Sequence, residues 1–151
     1  MDTIVVGVDG SEPSRRALAF AAEEAHLRDA RLRVVCAWQV PPAAYGGFTP
    51  AVDQSVLDAF RENAENVVRE AVEIVGKLHA ELRVATRTPE GNAAERLLEE
   101  AAQADLLVVG NRGHGDVSSL ILGSISHQVV HRASCPVVVV PHERHGEHPA
   151  E

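Results

Sequence analysis

The chain has 151 residues, of which 45% are hydrophobic, and it carries a formal net charge of −8. These values predict a folded globular protein, because disordered chains are less hydrophobic. The acidic balance and the few aromatics (one Trp, one Tyr, three Phe) argue against a nucleic-acid partner, which requires clustered cations or stacking rings. No apolar run approaches the ~20 residues of a membrane span and no basic leader opens the chain, so we expect a cytoplasmic protein without membrane contact.

The first part of the chain predicts a strand, a helix and a second strand. Residues 4–8 form a continuous β-branched run, which is typical of a parallel strand covered on both faces. Ser11 is suited to cap a helix that has Pro13 in its first turn. A second strand is expected over 33–38, and the segment 41–50 that follows is too rich in Pro and Gly for a regular element.

The middle of the chain alternates helices with strands. A long helix is expected over 52–79, because apolar residues recur there at steps of three and four. A short strand over 82–87 and a helix over 93–102 follow. Another strand of the buried type is expected over 105–109.

The last part begins with a glycine-rich loop over 110–115. A fourth helix is expected to start near Gly123, and a last strand over 135–140 ends at Pro141. The order is therefore β-α-β-α-β-α-β-α-β. It predicts an α/β fold with a single open five-stranded parallel sheet and helices on both faces, Rossmann-like, over residues 1–141. Residues 142–151 are expected to form a polar C-terminal tail.

Two features follow strands at the edge where such sheets bind ligands, beyond the carboxyl ends at the point where the strand order reverses. Asp9 follows the first strand and Gly110 follows the fourth. If those strands are neighbours, both features face one crevice. Asp9 by itself has an alternative explanation, since an Asp at a strand end often only caps the next helix.

The loop after the fourth strand has the composition of a phosphate cradle. Its residues 110–116 read Gly-Asn-Arg-Gly-His-Gly-Asp, and glycines allow several backbone N–H groups to point into one concavity. Gly123-Ser124 then opens a helix, whose amino end favours an anion. This is no Walker loop, because Asp116 stands where Lys is required. The alternative is a tight strand-to-helix turn without a ligand.

These residues carry a family resemblance. Gly110-x-x-Gly113, nine further residues and then Gly123-Ser124 resemble the nucleotide-binding motif of the ATP-binding branch of the universal stress protein family. The opening at 4–11 and the ending at 134–140 are similar to that family's first and last strands, and the tail is the one departure. The resemblance implies the fold of the adenine nucleotide alpha hydrolase-like group.

The resemblance also implies a site. It places adenine and ribose near Asp9, with backbone near Gly7 and Val40 lining the same pocket. The phosphates would be held by Gly110, Gly113, Gly123 and Ser124. The other binding residues close by are Asn111, His114, Gly115 and Ser126. Arg112 is the one cation inside the loop, so on physical grounds we assign it a share of the phosphate charge. The segment 41–50 leaves the same edge and could be a lid.

The function implied is an adenine-nucleotide-binding regulator of a stress or dormancy response. ATP is the expected ligand, with ADP, AMP and cyclic AMP as alternatives, and Mg²⁺ is expected to accompany ATP. A slow ATPase or self-phosphorylating enzyme is one alternative, in which Asp116 could hold Mg²⁺ and Ser118, Ser119 or Ser126 could accept phosphate. No evident base and no phosphate lysine support it, so we predict no catalytic residues. A dimeric scaffold with a vestigial pocket is another alternative.

Assembly is predicted from the last strand. In the strand order of the family, Val137–Val140 lies at a sheet edge, and no charge interrupts it. Such edges need protection, so we expect a homodimer that pairs this strand with its twofold mate. The alternative is a monomer in which the tail covers the edge.

The remaining histidines and cysteines suggest little chemistry. His127 and His131 stand four apart on the fourth helix and could share a metal ion, but no third ligand accompanies them. The tail histidines, at 142, 145 and 148, are expected to be solvated. Cys36 and Cys135 lie in apolar strands and are expected to be small buried hydrophobes.

Overall fold

A computed structural model describes residues 2–41, 53–111 and 122–141. Their order confirms the predicted alternation of strands and helices. The strands are β1 (Thr3–Gly7), β2 (Arg31–Val35), β3 (Val84–Arg87), β4 (Leu106–Gly110) and β5 (Val137–Val140). The helices are α1 (Glu12–Leu27), α2 (Gln54–Leu78), α3 (Ala93–Ala101) and α4 (Ser124–Arg132).

The five strands form one parallel sheet in the order β3-β2-β1-β4-β5. The chain builds outward from β1 to β3 and then crosses to the other side of β1, so the order reverses between β1 and β4. Val5 pairs with Leu107 and Val6 with Val108. The carboxyl ends of β1 and β4 therefore lie side by side, as the crevice prediction requires.

Both faces of the sheet are covered by helices. Ile4, Val6 and Val108 pack with α1 and α2 in the larger buried cluster. Val5 and Leu107 face the other way and pack with α3 and α4. Alternate residues of each central strand thus enter opposite cores, which explains why these strands are continuously apolar. Among the described residues, no helix has the length and apolar character needed to cross a membrane.

The helices begin where the sequence supplies a cap. Ser11 accepts a hydrogen bond from the N–H of Ser14, and Asn92 accepts one from Glu95. Asp53 accepts from the N–H of Ser55 at the start of α2. Each of these side chains satisfies an amide that has no partner within the helix. Gly123, which precedes α4, makes no side-chain cap.

The second strand differs from its predicted bounds, 33–38. Its pairing with β1 runs from Thr3–Arg31 to Gly7–Val35. Beyond Gly7 the chain turns away at Gly10, whose φ is +83°. Residues 36–38 therefore lose their neighbour on that side, and Trp38 keeps only an isolated bridge with Glu90. The prediction was wrong because strand ends depend on the neighbouring strand.

Candidate functional site

The turn after β1 is organised by Asp9. Its Oδ1 accepts hydrogen bonds from the N–H of Ser11, at 2.9 Å, and from the Ser11 hydroxyl. The buried Ser14 hydroxyl accepts from the N–H of Asp9, at 3.3 Å, and donates to the Ser11 carbonyl, at 3.0 Å. Asp9 therefore does shape the start of α1, the alternative raised above.

Asn111 joins the ends of β4, β5 and α4. Its N–H donates to the carbonyl of Val140, at 2.9 Å. Its own carbonyl accepts from the N–H of Gly123, at 2.7 Å, and from the hydroxyl of Ser126, at 3.0 Å. Ser126 is buried, and its hydroxyl also donates to the Gly123 carbonyl. These bonds hold the amino end of α4 at the carboxyl end of β4.

The amino end of α4 and the side chain of Asn111 bring polar groups to this edge of the sheet. The N–H groups of Ser124 and Ile125 begin α4 and have no acceptor among the described residues. They carry the positive end of the helix dipole. Asn111 is only 6% exposed, and its buried Oδ1 accepts no hydrogen bond from a described residue. A buried acceptor without a donor costs about 1–3 kcal/mol, so a ligand hydroxyl or amine would be stabilised there.

Two glycines predicted for the site also have packing roles. A Cβ at Gly7 would lie 2.9 Å from Cδ1 of Leu97, a side chain of α3. A Cβ at Gly110 would lie 2.9 Å from the backbone oxygen of Pro13, in the first turn of α1. Both strands therefore end in glycine where a helix approaches their backbone, whatever ligand the edge holds.

The chain that leaves β2 is tied to the connection between β3 and α3. Trp38 donates from its indole Nε1 to the carbonyl of Thr88, at 2.9 Å, and its N–H donates to the carbonyl of Pro89. Val40 is buried two residues further on, at 9% exposure. These hydrogen bonds hold the chain before Val40 beside the connection between β3 and α3. Of the proposed lid at 41–50, only the first residue is among the described residues.

The two thiols are not activated. Burial, followed by the charge of Asp9, raises the pKa of Cys36 to about 11. Burial, followed by the charge of Asp105, also raises the pKa of the partly exposed Cys135. Both shifts favour the protonated thiol, so neither side chain is an activated thiolate.

The structure brings seven of the predicted site residues to one edge of the sheet. They are Gly7, Asp9, Gly110, Asn111, Gly123, Ser124 and Ser126. The rest of the loop, namely Arg112, Gly113, His114, Gly115 and Asp116, lies outside the described residues, so those assignments stay predictions. Ser14 was missed by the sequence analysis. Its signal is its position three residues after the capping Ser11, where a hydroxyl faces the turn before the helix.

The fold and this edge define a class of protein. The chain has the fold of the doubly wound α/β proteins. In that class, ligands bind in the crevice where the strand order reverses. The chain belongs to the universal stress protein family, whose profile matches residues 1–141. This confirms the predicted family.

Curated relatives agree with this assignment. A universal stress protein of Thermus aquaticus is 39% identical over 140 residues, which cover 91% of this chain and 97% of the relative. One of Mycolicibacterium smegmatis is 36% identical over 148 residues, which cover 91% of this chain and 47% of the relative. The chain therefore spans about half the length of that mycobacterial relative.

Solved structures confirm the fold. A universal stress protein from Lactobacillus plantarum superposes with a TM-score of 0.78 at 27% identity, covering 92% of this chain and 97% of that one. A universal stress protein in complex with cAMP gives 0.62 at 30% identity, covering 92% and 95%. One from Archaeoglobus fulgidus in complex with dAMP gives 0.65 at 26% identity, covering 93% and 98%.

Proposed function

We propose that this protein binds an adenine nucleotide, with ATP as its ligand, in the crevice between the ends of β1 and β4, and that it acts as a nucleotide-dependent regulator in a stress response. The observation that carries the proposal is the amino end of α4. Its first amides lack acceptors among the described residues, and Asn111 fixes them beside the end of β4. Family members in complex with cAMP and dAMP support the choice of adenine.

The charge pattern assigns the two ends of the nucleotide. An anion is stabilised at a helix amino end, so the phosphates belong at Gly123 and Ser124. The Asp9 carboxylate accepts hydrogen bonds and repels phosphate, so it belongs with the ribose hydroxyls. Mg²⁺ accompanies the ATP phosphates in this proposal. Arg112 and Asp116 would neutralise phosphate and hold Mg²⁺ respectively, and both lie outside the described residues.

The direct test is to identify and measure the bound nucleotide. Mass spectrometry of the purified protein should detect an adenine nucleotide. Calorimetry of nucleotide-free protein should show Mg²⁺–ATP binding more tightly than AMP, because the additional phosphates reach the amino end of α4. GTP is the matched control and should bind more weakly than ATP. Failure of ATP to bind at millimolar concentration would contradict the proposal.

Asp9→Asn should lower the affinities for ATP, AMP and cAMP by a similar factor of roughly ten. The reason is that a hydrogen bond to a charged acceptor contributes about 1.5–3 kcal/mol. The amide oxygen can still accept from Ser11, so the turn is preserved. Ser11→Ala is the control, since it removes a turn hydroxyl and leaves the carboxylate in place; its affinities should stay within about twofold of the unmodified protein. Equal losses in the two variants, measured by calorimetry, would show that Asp9 acts by shaping the turn.

We also propose that the protein is a homodimer that pairs β5 with the β5 of its mate. The strand lies at the sheet edge, as expected, and its four valines are partly exposed. The carbonyl of Pro136 accepts a hydrogen bond from the N–H of Leu107 in β4, and that of Val140 accepts from Asn111, the residue after β4. Backbone direction alternates along a strand, so the N–H and C=O groups of Val137 and Val139 point to the outer edge, where a second strand would satisfy them.

Val139→Pro should convert this dimer to a monomer in sedimentation velocity at micromolar concentration. Proline removes an outward N–H and leaves the hydrogen bonds to β4 in place, which is how edge prolines are tolerated. Val139→Ala keeps that N–H and is the control that should remain dimeric. A monomeric wild type would refute the homodimer, and a dimeric Val139→Pro variant would show that the interface lies elsewhere.

A further inference from the structure

Helix α4 presents two histidines on one exposed face. His127 and His131 are one turn apart, both are exposed, and their ring centroids lie 4.5 Å apart with the planes at 61°. Neither ring makes a hydrogen bond or ion pair with a described residue. Both imidazoles therefore have ring nitrogens available on the same side of the helix.

A second histidine pair shows the contrast. The rings of His26 and His79 have centroids 4.4 Å apart, but they stack nearly parallel, at 20°. The Nε2 of His79 lies 2.9 Å from a carboxylate oxygen of Glu23. This pair joins the end of α1 to the end of α2, and one of its nitrogens is already engaged. It is a structural contact, whereas no described residue forms an ion pair with the pair on α4.

We propose that His127 and His131 together bind a late divalent transition-metal ion, represented by Zn²⁺ or Ni²⁺. Residues four apart on a helix have neighbouring side chains, and neutral imidazole is a preferred ligand of these ions. No cluster of three or more metal-ligating residues occurs within 2–41, 53–111 and 122–141. The protein would thus supply two ligands and water the others. The site is separate from the proposed nucleotide function, because it rests on neither Asp9 nor the amino end of α4.

The test is calorimetry of the nucleotide-free full chain with Zn²⁺ alone, and with Ni²⁺ and Mg²⁺ in parallel. Wild type should bind Zn²⁺ and Ni²⁺ and not Mg²⁺, which prefers oxygen ligands. His127→Gln or His131→Gln should weaken the Zn²⁺ site at least about tenfold, and the double variant should abolish it. Both side chains are exposed, so the circular dichroism spectrum and the binding of ATP should not change.

Two matched variants locate the site. Replacing His142, His145 and His148 together by Gln removes the tail imidazoles and should leave the site intact. A spacing control combines His131→Gln with Arg132→His, which keeps the number of histidines and moves one imidazole off the shared face. The control also removes the positive charge of Arg132, which by itself would favour binding of a cation. A loss of Zn²⁺ binding would therefore be caused by the changed spacing of the imidazoles. The proposal is overturned if wild type binds no Zn²⁺, if the tail variant loses the site, or if the spacing control keeps it.

Discussion

Gly110→Ala is expected to lower the free energy of unfolding by about 3 kcal/mol, the upper part of the usual cost of overpacking. The added Cβ would lie 2.9 Å from the carbonyl oxygen and 3.0 Å from the carbonyl carbon of Pro13. These are backbone atoms at the start of α1, so no side-chain rotation relieves the contact. In a chain of this length the loss corresponds to a melting temperature lower by roughly 10 °C, measurable by circular dichroism or calorimetry.

Gly76→Ala is the matched control for this prediction. A Cβ at Gly76, on the exposed side of α2, meets nothing within 4 Å. Because alanine favours the helix over glycine, this variant should gain about 0.5 kcal/mol. Opposite signs for the same substitution would establish that the close approach of Pro13 causes the loss. If Gly110→Ala melts like the wild type, the packing explanation for this glycine is wrong.

Gly123→Val is expected to lower the affinity for ATP by a factor on the order of a hundred or more and to leave the fold intact. Gly123 has φ −63° and ψ 160°, which valine adopts without strain. The branched side chain would stand at the amino end of α4, where the proposal places the phosphates. A hundredfold loss equals about 2.7 kcal/mol, the scale of one or two charge-assisted hydrogen bonds.

The measurement is calorimetry with ATP and AMP, alongside the melting temperature. ATP should lose more affinity than AMP, because its additional phosphates lie at the blocked end of the helix. Gly76→Val carries the same change far from the crevice and should bind ATP like the unmodified protein. Retention of ATP binding within a few-fold by Gly123→Val would place the phosphates elsewhere. Gly110 cannot serve in this test, since its substitution is expected to disturb the fold itself.

Local sequence determined most of the secondary structure and the family. Continuous β-branched runs predicted the strands, because a parallel strand covered on both faces has no polar side. Ser11 marked the start of α1, and its side chain accepts a hydrogen bond from the N–H three residues on. The spacing from Gly110 to Ser124 indicated the family, which the profile over residues 1–141 confirms. These features depend on neighbours along the chain, so they can be recognised without the fold.

Other features were decided only by the tertiary structure, because they depend on residues far apart in sequence. The β2 strand ends at Val35, since its partner β1 turns away there. Gly110 is crowded by Pro13, nearly one hundred positions earlier, which no local pattern announces. The Asn111 carbonyl accepts hydrogen bonds from both Gly123 and Ser126, which lie more than ten positions further along the chain. Sequence supplied the groups of the candidate site, and the pairing of β1 with β4 brought them to one edge.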